Sequence, residues 1–598
     1  MPAHRIRAPR APPGRRRSSS MSPFQLVAPC LRENRWTILL GVCCLVAVDF
    51  MQLWIPRVVK WAVDALTTAT GPAPLGGYAA RIMALAVGIG VFRYIWRRCL
   101  IGTSRKVERD LRQRLLEHLQ KMEPAFFDRH PTGSLMAHAT NDINHVRMAT
   151  GMGMVALTDA VVLGTAAIGF MAYIDWRLTI LVLVPMPLIA FGTRLFSRRM
   201  HQRYQQVQAA FASLTETVRE HFSGIRVVKA YTLAPAAIRR AEASSEQYVQ
   251  QNLKLVRITG SFFPMMVLFS NISLALVLLL GGRATVAGRI TPGDFVAFIS
   301  YIGLITWPMM ALGWVMNLIQ RGKASLERLA AIFNTAPAIA DAPGALPLAD
   351  SPRRIAFQDV VLTYAGGRQA LSDVNLHFEA GRSYGIVGPP GSGKTSLIRL
   401  IARLYEPTAG TVAVDGRPLG EIRLADLRRR IAFVPQEPFI FAGTLGDNIT
   451  MGQSVSPAKL AAAIADAGLE SMVARLTAGL DTVVGERGVM LSGGQKQRVS
   501  LARALLSDRP ILLLDDPISQ LDTVTGRRVI EALRRRAAGR LVIIVSHRMA
   551  AVRWTDRVVV MENGTVSAVG PHDAVSAQNA YYRNALRIQA PEDNGDAN

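Results

Sequence analysis

Cysteine is scarce. The 598-residue chain has four, Cys30, Cys43, Cys44 and Cys99, and none forms a C-x-x-C pair. That excludes a disulfide framework or a cysteine-built zinc centre and leaves small apolar packing residues. Acid is also short, with 43 Asp and Glu against 69 Lys and Arg, for a net charge of +26. Such an excess can serve nucleic-acid binding. Here, however, it is dispersed and gathers beside apolar runs, at Arg97–Arg98, Arg105–Lys106, Arg198–Arg199 and Arg239–Arg240. That is how cytoplasmic loops of membrane proteins are charged, so no nucleic-acid partner is expected. Charged residues make up 19% of the chain and hydrophobic ones 50%. The long apolar runs fill the first half and are missing from the second, which reads as a membrane domain followed by a soluble one.

The first twenty residues contain six Arg and no acid, so residues 1–30 read as a basic disordered tail, with Met21 as an alternative start of translation. No signal-peptide cleavage pattern follows. The apolar run from Trp36 is long enough to stay as an anchor.

A bilayer crossing takes about 20 apolar residues. Six segments qualify, at roughly 36–58, 79–101, 152–174, 177–198, 257–282 and 293–318. The intervals between them alternate. Residues 66–78, Asp175–Trp176 and 283–292 are short; residues 102–151 and 199–256 are long, charged and helical in period. The positive-inside rule places the long intervals and both termini in the cytoplasm, with the bilayer as a partner. Each long interval has a break suited to a short crossing helix, one near Phe126–Gly133 and one near Ser223-Gly224-Ile225. Residues 334–353, rich in Pro, Ala and Gly, read as a linker. Beyond it, short β-type runs alternate with helices, an α/β pattern. The expected fold is an all-α six-helix transmembrane bundle with long cytoplasmic extensions (31–333), followed by an α/β P-loop ATPase domain (354–590) and a disordered tail (591–598).

The run Gly388-Pro389-Pro390-Gly391-Ser392-Gly393-Lys394-Thr395 fits G-x-x-x-x-G-K-[ST], after an apolar strand and before a helix that starts with Ser396. Its glycines let backbone N–H groups wrap phosphates. Lys394 is expected to reach the β/γ phosphates of ATP and Thr395 to ligate Mg²⁺. The apolar strand Ile511–Leu514 ends in Asp515, the expected Mg²⁺ partner of a P-loop.

Between these motifs stands Leu491-Ser492-Gly493-Gly494-Gln495, which resembles the signature of ABC-transporter ATPases. The rest of the set follows in order. Tyr364 resembles the adenine-stacking aromatic, Gln436 the Q-loop glutamine and metal ligand, and Gly485–Gly488 the stretch before the signature that contacts the membrane domain in exporters. Ser519-Gln520-Leu521-Asp522 resembles the D-loop, and His547 the switch histidine. The resemblance covers roughly residues 30–590 and implies an exporter-type half-transporter. Each ATP is then sandwiched between one P-loop and the signature of a second half, so the chain must pair.

One position departs from the family. Where Glu normally follows the Walker B aspartate and acts as general base, this chain has Asp516, one methylene shorter. A misplacement of about 1 Å can cost ~100-fold in rate. Pro517 and the Gln of Ser519–Asp522 are also unusual. The chain resembles MdlA-type subunits of bacterial heterodimeric multidrug-like exporters, in which one half carries Asp here and keeps LSGGQ while its partner supplies the Glu. This implies a heterodimer in the inner membrane that carries hydrophobic or amphipathic small molecules. The alternatives are a homodimer with a slow Asp516, an importer of exporter-like fold, a regulator or channel with vestigial ATPase activity, and a soluble ATPase acting on DNA or ribosomes, which the spans oppose.

Asp49 and Asp159 fall inside membrane segments, where a carboxylate must face a cavity, a partner or the interface. A path for cations is one reading; pairing with Arg or an interfacial position is the other. The Met and Trp residues of 307–316 suit either an adaptable pocket or bundle packing.

Overall fold

The computed structural model describes residues 21–68, 75–485 and 491–593. The chain divides into two compact units. One comprises residues up to Gln120 together with Gly133–Thr335; the other comprises Lys121–Thr132 together with Ala336 onward.

The first unit is helical. Arg35–Thr68, at 34 residues, is longer than a bilayer needs, and Leu75–Trp96 runs on through Arg97–Ile101 into Gly102–Leu119. Four helices among the described residues are long and apolar enough to cross a membrane: Arg35–Thr67, Leu75–Leu119, Thr132–Ile174 and Val267–Val286. Pro292–Thr306 is a shorter apolar stretch at the start of the 42-residue helix Pro292–Phe333. The segment expected at 177–198 falls on Trp176–Leu183 and the start of Pro185–Ser223. Pro56, Pro264 and Pro308 all lie inside helices rather than ending them. Without water to satisfy a freed backbone group, the helical state outlasts the lost hydrogen bond.

The short turns carry their own stop and start signals. The Asp175 carboxylate accepts from the N–H groups of Arg177 (2.8 Å) and Leu178 (3.0 Å), capping the next helix. Thr291 and Asp294 form a reciprocal capping box at the start of Pro292–Phe333, and Asp294 also pairs with Lys60. The Tyr301 hydroxyl donates to the Leu53 carbonyl at 3.0 Å, in a core built from Met171, Val277, Phe298 and Ile305.

Residues 21–30, expected as tail, are folded. Leu26 and Val27 are buried, and Arg114 donates to the Leu26 carbonyl at 3.0 Å. Leu26, Val27 and Cys30 supply enough burial to order the chain. The expected breaks hold short helices, Pro124–Arg129 and Ile225–Ala230. The side chains of Trp307, Met309 and Met310 lie outside the described residues, as do residues 1–20.

The second unit has two main sheets. One orders Gln369–Glu379, Arg354–Thr363, Ala409–Val414 and Arg417–Pro418, all antiparallel. The other orders Thr565–Gly570, Arg557–Glu562, Ser383–Val387, Leu541–Val545, Ile511–Asp515 and Ile431–Val434; all its neighbours are parallel except the first pair. Its central strands read SYGIV, ILLLD and LVIIV and are buried along their length, as a sheet covered on both faces requires. Alternate residues enter different cores: Leu512, Leu514, Val542 and Ile544 on one face, Ile511, Leu513, Ile543 and Val545 on the other.

Linker residues 336–353 belong to this unit. Leu346 pairs with Ile422, its N–H donating to the Glu421 carbonyl at 2.8 Å. The final helix, Ala580–Asp593, enters the stretch expected as tail from residue 591.

Candidate nucleotide site and signature helix

Four of the five parallel strands of the larger sheet carry the site at their C-terminal ends, where ligands of parallel sheets collect. Ser383–Val387 delivers the P-loop, Ile511–Asp515 delivers Asp515 and Asp516, Leu541–Val545 delivers Ser546 and His547, and Ile431–Val434 leads to Gln436.

The P-loop needs glycine at particular places. Gly391 and Gly393 have φ of +81° and +97°, and a Cβ on Gly393 would press on the Ala370 carbonyl, 2.6 Å away. Gly393 precedes the helix Lys394–Ile401, so the loop ends on the N–H groups of that helix. Lys394 Nζ donates to the Gly388 carbonyl (2.9 Å), the Pro389 carbonyl (2.8 Å) and Ser392 Oγ (3.3 Å). Burial pulls its pKa below the ordinary lysine value, opposed by the carboxylates of Asp515 and Asp516.

Thr395 Oγ1 donates to Asp515 Oδ1 at 3.1 Å. Burial raises the Asp515 pKa above the usual carboxylate value, with the Thr395 hydrogen bond pulling the other way. A threonine hydroxyl and a carboxylate so placed are hard oxygen donors of the kind Mg²⁺ takes. A cavity of about 240 Å³ runs between Tyr364, Arg368 and the loop residues Gly391–Ser396. Tyr364 shares a 3.0 Å hydrogen bond with Ser396 and meets the Tyr405 ring edge-on. A second cavity, of about 460 Å³, shares Arg399 with the first and is lined by Gln436, Asp515, Tyr405 and Asp128.

Asp516 is 6% exposed and sits at φ +52°, a left-handed conformation that is strained for a residue with a Cβ. Its N–H donates to the Val545 carbonyl at 2.7 Å. Its carboxylate is held from two sides, by Ser546 Oγ at 3.0 Å and by His547 Nδ1 at 2.7 Å. His547 itself is largely exposed.

The signature forms a helix start. Ser492 caps Gly493–Leu506: its Oγ accepts from Gln495 N–H (3.3 Å), and Gln495 Oε1 accepts from Ser492 N–H (2.8 Å). No hydrogen bond among the described residues joins Ser492–Gln495 to the P-loop of the same chain. A Cβ on Gly494 would press on the Gln520 carbonyl, 2.6 Å away. The close packing is fastened by Gln497, which is fully buried. Its Nε2 donates to the Asp516 carbonyl (2.6 Å) and its Oε1 accepts from Gln520 N–H (3.0 Å). Sequence reading missed Gln497, because a glutamine two residues after the signature looks like any exposed helix position. It also missed Tyr405, whose hydroxyl donates to Asp128 Oδ2 at 2.7 Å. Glu486, Arg487 and Gly488 lie outside the described residues.

These arrangements are those of a P-loop ATPase that carries a signature helix, and the comparisons agree. The family pattern described as ABC transporter transmembrane region matches residues 38–309, and the one described as ABC transporter matches residues 371–519. The chain belongs to the ABC transporter family. It is 36% identical to the multidrug resistance-like ATP-binding protein MdlA of Escherichia coli (strain K12), over 94% of this chain and 95% of that protein. It is 34% identical to the probable multidrug resistance ABC transporter ATP-binding/permease protein YheI of Bacillus subtilis (strain 168), over 93% of this chain and 95% of that protein. An ATP-dependent lipid A-core flippase of Syntrophus aciditrophicus (strain SB) is 30% identical, over 96% and 95%. The fold matches a bacterial Atm1-family ABC exporter solved with ATP bound, with TM-score 0.74 and 24% identity, over 94% of this chain and 98% of that one. This ABC protein is thus a multi-pass membrane protein with an ATPase domain of the kind that hydrolyses ATP.

Proposed function

We propose that the chain is one half of a heterodimeric exporter of hydrophobic or amphipathic compounds, in which its own P-loop site turns over slowly. The carrying observation is Asp516: a short carboxylate after Asp515, held by Ser546 and His547, beside a fully formed signature cap at Ser492.

ATP lies along Gly388–Ser396 with its adenine on Tyr364 and its β/γ phosphates at Lys394. Thr395, Asp515 and Gln436 would hold Mg²⁺, which would supply positive charge to neutralise that developing on the phosphates. Hydrolysis needs a base that orients water in line with the γ-phosphorus. Asp516 stands one methylene back from where Glu would put its oxygen, so water is held poorly and ATP persists. His547 contacts the γ-phosphate. In the other site, Ser492, Gly493, Gly494 and Gln495 offer the helix N-terminus to ATP on the partner's P-loop, and the partner's Glu activates water there. Nucleotide-domain closure passes through the cytoplasmic loops near 126–136 and 223–231 to the bundle, and hydrolysis resets it. The basic loops support an inner-membrane placement with both termini and the ATPase domain cytoplasmic.

Co-expression with a half-transporter that carries Glu after its Walker B aspartate tests this. The pair should co-purify and load a lipophilic dye into inverted vesicles on ATP addition. A chain that purifies only with itself, or that empties such vesicles, overturns the assignment.

A further inference from the structure

The helices of the first unit bring together two acids and one base at membrane depth. Asp49 lies in the middle of Arg35–Thr68, Asp159 near the start of Met154–Ile174, and Arg93 toward the end of Leu75–Trp96. Asp49, Asp159 and Arg93 lie within electrostatic reach of one another. Asp49 is 2% exposed, yet its Oδ2 has no hydrogen-bond partner among the described residues; Asp159 Oδ1 is likewise buried and unpartnered. Trp96, one helical turn beyond Arg93, is 7% exposed, and its indole N–H is unpartnered too. Its ring packs in a cluster with Val48 and Val155, near both acids in the chain. Buried polar atoms without partners are rare in a settled structure and mark either strain or a place for a ligand.

We propose that Asp49 and Asp159 form a binding site for the positive charge of an organic monocation carried by the transporter, with Trp96 supplying an aromatic wall. This rests on the export reading and names its substrate class. With both acids ionised, two carboxylates and one guanidinium leave one negative charge unmatched, which suits a single positive charge. Trp96 offers an apolar, cation-tolerant surface to a delocalised cation. Asp49 is sealed but Asp159 is only half-buried, so the site opens on the Asp159 side. By helix position both acids lie in the central to cytoplasmic part of their spans, where an amphipathic cation from the inner leaflet would arrive.

The test uses the full chain in detergent with tetraphenylphosphonium, a permanent cation, and triphenylphosphine oxide, a neutral analogue of similar shape. The double variant D49N/D159N should weaken tetraphenylphosphonium binding at least tenfold and change triphenylphosphine oxide binding less than twofold. R93Q should tighten cation binding, and it serves alone should the double variant fail to fold. Equal loss of both probes, no cation binding by the unaltered chain, or weaker cation binding in R93Q overturns the site. Failure of ATP-driven transport with both charged and neutral lipophilic compounds would instead overturn the export reading and leave the binding result standing.

Discussion

Gln497 and Asp516 are tied by one 2.6 Å hydrogen bond, from the buried side-chain amide of the signature helix to the main-chain carbonyl of the residue after Walker B. With the return bond from Gln520 N–H, this couples the signature helix to the stretch that follows Walker B. A shift of either must move the other or break a buried hydrogen bond.

Replacing Gln497 with Leu keeps the volume and removes both of these bonds and a third, from Gln497 Nε2 to Ser519 Oγ at 3.1 Å. The Gln520 N–H loses its acceptor, while the Asp516 carbonyl keeps Ser519 Oγ at 3.1 Å. A buried group left unpaired costs about 1–3 kcal/mol. At about 2 kcal/mol, the ATPase-domain transition should fall by about 4–8 °C, as differential scanning fluorimetry will show.

The two sites should respond unequally to mutation. Ser492→Arg places bulk and charge at the helix start that serves the partner's ATP and should remove most ATPase activity of the assembled transporter. Lys394→Ala strikes the slow site and should leave a substantial fraction. Steady-state phosphate release by the two variants measures the difference.

Tyr405→Phe removes the hydroxyl that donates to Asp128. Tyr405 and Asp128 line the larger of the two cavities, and Lys394 lines the smaller. Nucleotide affinity should stay within about twofold while substrate-stimulated ATPase falls several-fold. Fluorescent-nucleotide binding and ATPase assays on the same preparation separate the two effects.

What the sequence makes legible is what depends on spacing along one chain. The P-loop, Asp515, the Ser492 cap and the buried strands each need only their neighbours in sequence, and each is found where its motif puts it. What it hides depends on pairing between distant elements. Gln497 with Asp516 and Gln520, and Tyr405 with Asp128, involve residue types that are unremarkable in their own segments. Pro56, Pro264 and Pro308 lie inside helices, as the expected spans placed them: a breaker signal calibrated in water is overridden where the surroundings offer the backbone no other partner. Residues 21–30 show the converse, since a stretch expected as tail is ordered by the burial of Leu26, Val27 and Cys30 within it.

The central claim is that Asp516 is a poor base held in a site that otherwise binds ATP. Side-by-side ATPase rates of the purified chain and its Asp516→Glu variant, without a partner and at saturating Mg²⁺-ATP, test it most directly. The account predicts slow turnover by the unaltered chain, unchanged ATP affinity in the variant, and a gain of about tenfold or more in rate on restoring the methylene. Brisk turnover by the unaltered chain, with no gain from Glu, would contradict it.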